Sequence, residues 1–403
     1  MFRKKNFCKA PFVNIYVDAK GNVTPCCFNR KDVYGNIYNQ HIDEIWNSKT
    51  AQKLRQLFKN KQFPENCKIC KNAIESKNYY NSGLSVFSKF NAKKPIIQSI
   101  DLELSYKCNI NCIMCYLHSD NYNLTTEEEN LILLRLKPLF NNLKRAQFYG
   151  GEPLIIPIYY KIWNAIIESN PNCFILIQTN GTLINEEIKN LAKKGKFIFN
   201  VSLDAVSQEL LSKIRRGSQL QIIINNLKIF KSLSRKQITL AITPMLQNWK
   251  EVPELIRFAN KNGYQVFFNS LITPKKMALW YMSSKDLEEV IKHYKRNKPF
   301  IFNYASLVNY IKFKDFIKHI KSLYQNSLKR PNYNDDELEK YSELLYFKIK
   351  ELLPKYQNYQ KQILILKIKE YLYLHSYEEA IKYIKQMPNY ELEKSIDSLL
   401  ERE

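Results

Sequence analysis

The middle of the chain alternates short apolar segments with longer amphipathic ones. Six short segments predict strands, at Ile97–Leu104, Arg145–Tyr149, Phe174–Thr179, Phe197–Leu203, Ile238–Thr243 and Tyr264–Leu271. The stretches between them predict helices over Thr126–Phe140, Ile158–Ser169, Glu186–Lys194, Gln219–Leu233 and Val252–Asn262. Because strand and helix alternate, the pattern predicts right-handed crossovers and a parallel sheet.

One face of this predicted sheet is polar. Strands buried on both faces read as continuous apolar runs, whereas here Asp101 and Glu103 alternate with apolar residues in the first strand and Asn200 does so in the fourth. An open or partial barrel accommodates such a face around a polar ligand space, and six strand–helix units are fewer than the eight of a closed barrel. We therefore predict an α/β fold with a partial (βα)6 barrel over residues 96–275, and a substrate held against Asp101, Glu103 and Asn200.

The regions on either side of the barrel have different patterns. Residues 1–75 hold five of the nine cysteines, with short strands, turns and a helix around Ile42–Trp46. Residues 76–95 are polar and predict a linker. Residues 276–403 contain no glycine and predict a helical C-terminal extension, in which Tyr371–Pro388 is similar to half of a tetratricopeptide hairpin. We expect this pair of helices either to pack on the barrel or to offer a docking surface for a partner.

Composition excludes several classes of protein. The 403 residues are 45% hydrophobic and contain no apolar run near the ~18 residues that a membrane span needs, so we expect a globular protein outside the membrane. The first residues lack the apolar core of a signal peptide, so we expect a cytoplasmic protein whose cysteines are thiols or metal ligands. The net charge of +24 comes from scattered lysines, which indicates a solvated surface, although it also allows a nucleic-acid partner.

Three cysteines follow the first predicted strand in a Cys-x3-Cys-x2-Cys loop, Cys108, Cys112 and Cys115. Three thiolates on one short loop can hold three irons of a 4Fe–4S cluster and leave the fourth iron open to another ligand. The same spacing also fits a helical stripe of buried cysteines, or a zinc site that lacks one ligand.

Further polar and glycine-containing motifs occur where the next strands end. The second strand ends in Gly150-Gly151-Glu152-Pro153, the third in Gln178-Thr179-Asn180-Gly181 and the fourth in Ser202-Leu203-Asp204, with Arg215-Arg216-Gly217 downstream. Each alone fits an ordinary tight turn. The carboxyl ends of parallel strands are where α/β sheets bind ligands, so together these motifs predict a binding site.

With these motifs, residues 95–274 resemble the radical S-adenosylmethionine (SAM) superfamily. The resemblance implies that Cys108, Cys112 and Cys115 hold a catalytic 4Fe–4S cluster, and that one electron cleaves SAM to methionine and a 5′-deoxyadenosyl radical. It implies that Gly150, Gly151 and Glu152 bind the SAM amino group. It also implies that Ser202 and Arg215 bind the polar or carboxylate end of SAM. Asp204 or Asn180 is then expected on the ribose side. Met114 stands where many members place an aromatic residue against the adenine.

The N-terminal cysteines form a second set. From the residues alone, Cys8, Cys26, Cys67 and Cys70 fit either a closed 4Fe–4S site or a zinc site. Residues 1–75 resemble the SPASM/twitch module of radical SAM enzymes, through Gly21-x4-Cys26, the Gly35-Asn36-Ile37 turn and the closing Cys67-x2-Cys70. This resemblance implies that the four cysteines hold an auxiliary 4Fe–4S cluster, in a module that here precedes the barrel. Cys27 is expected to be buried or a spare ligand.

The sequence thus predicts a radical SAM enzyme that abstracts hydrogen from a peptide or protein side chain. The resemblance also implies an electron donor such as flavodoxin or ferredoxin. Alternative substrates are a carbohydrate or other small molecule, and RNA. A non-enzymatic metal-binding scaffold or RNA-binding adaptor is the competing class, in which the positive charge would matter more than the clusters.

Overall fold

A computed structural model describes residues 8–75, 82–116, 124–353, 361–386 and 388–400. The chain divides into two compact units, Met1–Ser322 and Leu323–Glu403. The strands of the first unit are β1 (Asn14–Asp18), β2 (Asn22–Thr24), β3 (Gly35–Asn36), β4 (Ser99–Glu103), β5 (Asn111–Cys112), β6 (Arg145–Phe148), β7 (Phe174–Thr179), β8 (Lys196–Ser202), β9 (Arg215–Arg216), β10 (Thr239–Ile242) and β11 (Gln265–Phe268).

Helices connect and cover these strands. The first thirteen α-helices in chain order are α1 (Ala10–Val13), α2 (Ile42–Trp46), α3 (Lys49–Lys59), α4 (Lys68–Glu75), α5 (Gly83–Phe87), α6 (Thr126–Leu136), α7 (Pro157–Ser169), α8 (Glu186–Lys194), α9 (Gln208–Ile214), α10 (Leu220–Leu233), α11 (Val252–Asn262), α12 (Ser284–Arg296) and α13 (Tyr304–Ser327). Several begin at the cap that their sequence predicts. Thr125, for example, opens α6 with a capping box to Glu128.

In the described residues the main sheet has nine strands, in the order β11-β10-β8-β7-β6-β4-β1-β2-β3. The seven strands from β11 to β1 run parallel to one another, whereas β2 and β3 pair antiparallel beyond β1. The six predicted strands correspond to β4, β6, β7, β8, β10 and β11, so the predicted α/β fold is confirmed. The N-terminal module extends this sheet, because β1 pairs in parallel with β4, with Tyr16 opposite Asp101.

The two faces of the sheet differ as their sequence alternation predicts. Along β7, Ile175 and Ile177 are buried beneath helices, whereas Leu176 and Gln178 on the other face are partly accessible. The helix-covered face is held by a fully buried aromatic cluster, in which Trp163 of α7 contacts Phe148, Tyr159 and Phe197 edge-on or at a tilt. The partly accessible face, which we call the inner face, carries most of the polar side chains.

The edge strand β11 is covered by α13. Asn309 accepts a hydrogen bond from the backbone N–H of Val266 at 2.8 Å, and Lys312 donates to the Val266 carbonyl at 2.9 Å. These bonds satisfy backbone groups that an exposed edge would leave open to pairing with another chain. Within the predicted linker, α5 buries Leu84 and Phe87, so this part of the chain is packed and helical.

The second unit is helical in its described part, as predicted. It contains α14 (Asp335–Leu352), α15 (Lys361–Leu372), α16 (Tyr377–Gln386) and α17 (Asn389–Leu400). Leu345, Ile349, Leu364 and Leu372 belong to its own apolar core. None of the helices in the described residues is long and apolar enough to cross a membrane.

Candidate active site

The cysteine loop begins directly after β4 and is held in place by a short ribbon. Within it β5 pairs antiparallel with β9, which sets Cys112 opposite Arg215 and Asn111 opposite Arg216. The N–H of Ile113 extends this pairing by donating to the Ile214 carbonyl at 2.9 Å. The loop is therefore ordered by the Arg-Arg-Gly segment, which lies far from it in the sequence.

Gly150 and Gly151 let the end of β6 approach the base of the cysteine loop. A Cβ atom on Gly150 would lie 2.2 Å from the Ser105 carbonyl oxygen, and one on Gly151 would lie 2.0 Å from the Lys107 carbonyl oxygen. Gly150 also has a φ of 118°, which glycine adopts at low cost. The close approach is fixed by a hydrogen bond from the Gly151 N–H to the Ser105 carbonyl at 3.1 Å.

Glu152 is fully buried and joins two strand ends. Its carboxylate accepts hydrogen bonds from the Leu154 N–H at 3.1 Å, the Thr179 hydroxyl at 2.8 Å and the Asn180 N–H at 2.7 Å. Burial raises the pKa of Glu152 to about 7, and these hydrogen bonds oppose the rise. In the structure this carboxylate contacts protein groups, so its predicted contact with SAM stays a prediction.

Asn180 and Ser202 lie at the ends of β7 and β8. The Asn180 amide donates to Asn109 in the cysteine loop at 2.9 Å and approaches the Cys108 sulfur at 3.8 Å. Ser202 accepts from Gln178 at 2.9 Å. The structure thus brings Asn180 to the cysteine loop and places Ser202 on the inner face.

Asp204 and Arg215 form a buried ion pair beside the loop. Arg215 contacts the Asp204 Oδ2 atom through Nε at 2.8 Å and through Nη2 at 2.6 Å. Its Nη1 atom lies 3.7 Å from the Cys112 sulfur. Burial raises the pKa of Cys112 to about 11, although Arg215 favours the thiolate.

Met114 packs among aliphatic side chains at this site. It is buried in a small apolar cluster with Ile214 and Met245, against which Leu271 also packs. The cluster anchors the cysteine loop, between its second and third cysteines, to the ends of two later strands. A contact between Met114 and the adenine of SAM stays a prediction.

The four predicted ligands of the N-terminal module interact electrostatically. Cys8 interacts with Cys67 and Cys70, and Cys26 interacts with Cys27, Cys8 and Cys70. Two of the thiols are also held by donors, since Cys67 accepts from Asn29 at 3.4 Å and Cys70 accepts from the Gly83 N–H at 3.3 Å. No disulfide involves any of the nine cysteines, all of which are among the described residues.

Cys27 interacts with its neighbour Cys26, but its other contacts are with the sheet. Its thiol interacts with Asp101, Arg145 and Tyr149, which belong to the inner face of β4 and to β6 and its end. Burial raises the pKa of Cys27 to about 12. The adjacent cysteines therefore face different sites, one the module and the other the sheet.

An ion pair between Arg30 and the buried Glu103 joins the module to the sheet, and the sequence pattern did not predict it. Arg30 donates to Glu103 at 2.7 Å and to the Tyr116 hydroxyl at 3.1 Å. Glu103 also accepts from Tyr16 and, at 3.0 Å, from Tyr116. Arg145 pairs with Asp101 at 2.8 Å. The expected polar lining residues Asp101 and Glu103 therefore lie on the inner face but are paired with arginines.

The residues present fit two iron–sulfur clusters. Three thiols lie on one ordered loop beside a buried cation, and four thiols from separate segments of the module interact electrostatically. Among the described residues, no three His, Cys, Asp or Glu side chains surround a single metal-ion position. A 4Fe–4S cluster instead takes one thiolate at each of separate irons.

Comparison with known families decides which group of proteins this architecture represents. Residues 102–259 match the model of the radical SAM superfamily, and residues 8–71 match the SPASM model, an iron–sulfur cluster-binding domain. The chain belongs to the radical SAM superfamily. The predicted superfamily, the SPASM module before the barrel, the SAM-dependent enzyme class and both 4Fe–4S clusters are confirmed at this level. Membership in this superfamily of enzymes therefore argues against a non-enzymatic metal-binding scaffold or an RNA-binding adaptor.

Curated relatives match about half of this radical SAM protein. A probable GTP 3′,8-cyclase of Methanocaldococcus jannaschii is 27% identical over 200 residues, which cover 49% of this chain and 66% of the relative. A GTP 3′,8-cyclase of Campylobacter lari is 24% identical over 180 residues, covering 43% and 55%. The chain thus spans between about half and two thirds of the length of these relatives.

Solved structures also match. Native anSMEcpe with bound AdoMet aligns with a TM-score of 0.41 and 19% identity, over 50% of this chain and 60% of that one. The individual ligand roles predicted for the site residues, and the predicted electron donor and cytoplasmic location, stay predictions.

Proposed function

We propose that this radical SAM enzyme abstracts hydrogen from a polypeptide side chain. When bound, the loop cluster and SAM supply a 5′-deoxyadenosyl radical, and the auxiliary cluster supplies an acceptor for the electron that remains after abstraction. The chain's own residues order the cysteine loop through Arg215, Gly150 and Gly151, and they form the wall against which a substrate lies.

The character of that wall supports a polypeptide substrate. Most of the partly accessible inner-face residues near the carboxyl ends of the strands carry an amide or a hydroxyl: Gln178, Asn200, Ser202, Asn269 and Tyr149, beside the apolar Phe267. Such groups both donate and accept hydrogen bonds, as peptide amides do. This neutral polar lining is the observation on which the proposal rests.

The charges on the inner face argue against a phosphorylated substrate. Arg145 and Arg30 are each paired with a buried carboxylate, Asp101 and Glu103. Lys196, the inner-face cation of β8, lies at its amino end and donates to Asn172 at 2.6 Å. Among the described strands of the nine-stranded sheet, no unpaired cation therefore lies on the inner face at the carboxyl ends, where a phosphate would need one. A nucleotide such as the GTP named for the curated relatives is thus the less favoured substrate.

Transfer of deuterium tests this proposal by sorting substrates into chemical classes. The full-length protein, reconstituted anaerobically, is given SAM, dithionite and one fraction at a time from cells grown in heavy water. The fractions are small molecules, peptides, proteins and RNA, and deuterated GTP is tested separately. Hydrogen abstraction moves deuterium to 5′-deoxyadenosine, which mass spectrometry detects. We expect enrichment from the peptide or protein fraction, and its loss when that fraction is digested to amino acids.

Two controls make the result specific. Protein with Cys108, Cys112 and Cys115 replaced by alanine should yield no labelled product from any fraction. Deuterium transfer from GTP, from the small-molecule fraction or from RNA, with none from polypeptide, would overturn the substrate class while leaving the radical chemistry in place. Absence of 5′-deoxyadenosine from every reaction, including SAM with reductant alone, would overturn the chemistry itself.

A further inference from the structure

We propose that Arg215 is a positioning residue that donates a charge-assisted hydrogen bond to the Cys112 sulfur and thereby raises the reduction potential of the loop cluster. The proposal rests on the proposed function, since it assigns a regulator to the cluster of that same site. It goes beyond the contact with SAM that the family resemblance implies for Arg215, because it concerns the cluster's own ligand.

The contacts of the guanidinium group point to this role. The Nε and Nη2 atoms are both taken by Asp204, at 2.8 and 2.6 Å, which turns Nη1 toward Cys112 at 3.7 Å. A guanidinium presents five N–H donors in a rigid plane. With Asp204 holding one edge of this plane, the direction of the remaining donors is fixed.

Hydrogen bonds from Thr243 and Asn248 hold Asp204 in place. Asp204 is fully buried, and its second carboxylate oxygen accepts from the Thr243 N–H at 2.6 Å. Asn248, also fully buried, donates to the carbonyl oxygens of both Asp204 and Thr243, at 2.9 and 3.1 Å. The carboxylate that aims Arg215 is therefore tied to the end of β10, so the guanidinium has a preorganised position.

The backbone fixes the same geometry from the other side. Arg215 stands opposite Cys112 in the β5–β9 pairing, so the two side chains are brought together by strand register as well as by the ion pair. Arg215 is only 7% exposed, which limits screening of its charge by water. Side-chain and backbone constraints thus converge on one N–H···S contact.

The expected effect on the cluster follows from charge. Reduction adds an electron to a cluster held by thiolates, and a buried cation and a donor at a ligating sulfur stabilise the more negative state. Arg215 should therefore raise the potential, and Asp204, by partly neutralising it, should lower the potential. The two partners of one ion pair are thus predicted to shift the potential in opposite directions.

Redox titration of the full-length reconstituted protein tests this prediction. The reduced cluster is followed by electron paramagnetic resonance without SAM, and the signal of the loop cluster is identified as the one that SAM alters. We expect Arg215→Gln to lower the midpoint potential, Arg215→Lys to lower it less, and Asp204→Asn to raise it. Arg216→Gln is the matched control, because Arg216 is the exposed neighbour on the same ribbon and should leave the potential unchanged.

The outcomes separate this proposal from a purely structural role. An unchanged potential in iron-replete Arg215→Gln, or shifts of the same sign in Arg215→Gln and Asp204→Asn, would overturn it. If Arg215→Gln does not retain iron, Arg215→Lys and Asp204→Asn decide by the same criterion. Because the titration contains no SAM and no substrate, failure of the proposed function would leave the potential shifts intact and would appear separately, as deuterium transfer from another class of substrate or as absent 5′-deoxyadenosine.

Discussion

The two cysteine sites of this protein are built in opposite ways. The three cysteines of the loop lie within residues 108–115, at the end of a single strand, and remain partly accessible, with Cys108 exposed. The four module cysteines come from segments as distant as residues 8 and 70, and three of them, Cys8, Cys26 and Cys70, are buried. An accessible site with three ligands suits a cluster that binds a cofactor, and a buried site with four suits one that only exchanges electrons.

Replacing the cysteines of the loop should give the largest effect that tests this difference between the two sites. Replacing Cys108, Cys112 and Cys115 by alanine should halve the iron of the reconstituted protein, from about eight atoms per chain. It should also abolish formation of 5′-deoxyadenosine, because the remaining cluster has no open iron. Iron analysis and chromatography of the SAM products measure the two effects. Unchanged iron would show that the loop is not a cluster site.

The next largest effect is on the module. Cys8→Ala or Cys67→Ala should remove the auxiliary cluster or make it labile, while the loop cluster stays visible by electron paramagnetic resonance. Cleavage of SAM without substrate should persist, because β1 and the Arg30–Glu103 pair still join the module to the sheet when its cluster is absent. Recovery of one zinc in place of four irons from anaerobic preparations would contradict the assignment.

The same contrast explains which features could be predicted from the sequence. The loop and the six barrel strands depend on local patterns, because spacing and alternation are properties of neighbouring residues. The pairing of β1 with β4 joins Asn14–Asp18 to residues some eighty positions away, and no local pattern encodes a parallel partner at that distance. For that reason the contact between module and barrel could not be predicted.

The partners of the buried carboxylates were the second feature that could not be read from the sequence. Asp101 and Glu103 were correctly expected on the polar face, but their partners come from elsewhere, Arg145 from the next strand and Arg30 from a module loop. Arg145 could have been found, since it opens a strand that was itself predicted and stands opposite Ser99 in the register. Arg30 lies in a loop, and neither spacing nor alternation indicates where it reaches.

A third effect concerns the glycines that bring β6 against the loop. Gly150→Ala should destabilise the protein by about 1 to 3 kcal/mol through overlap with the Ser105 carbonyl, in addition to the cost of its positive φ. It should also reduce iron retention at the loop but not in the module. Anaerobic urea unfolding and iron analysis measure these changes.

Gly263→Ala provides the matched control for that substitution. Gly263 also has a positive φ, of 72°, yet the nearest atom to its added Cβ is the end of Lys231 at 3.7 Å. The backbone cost of about 1 kcal/mol should therefore appear without any loss of iron. Equal loss of iron in the two variants would show that the close approach at Gly150 does not matter to the loop.

A fourth effect is a pH dependence of the free energy of unfolding, which arises from Glu152 at the loop site. Burial raises the pKa of Glu152 from 4.5 to about 7, so the folded state holds a proton that the unfolded state releases. This contribution to stability is complete below pH 4.5 and is lost as the pH rises through 7. Relative to Glu152→Gln, the wild type should lose about 2 kcal/mol of unfolding free energy between pH 5.5 and 8.5. Parallel pH profiles would show that Glu152 titrates normally.

The smallest effect is expected at Cys27, which follows a module ligand directly in the sequence but faces the sheet. The Cys27 thiol faces Asp101, Arg145 and Tyr149 on the sheet, so we expect it to lie outside the module cluster. Cys27→Ala should therefore keep the full iron content and change stability by no more than about 1 kcal/mol, the value of one hydrogen bond. Cys26→Ala, one position away, should lose the auxiliary cluster. The reverse result, with iron lost from Cys27→Ala and kept by Cys26→Ala, would exchange the two cysteines as ligands and join the inner face directly to the module cluster.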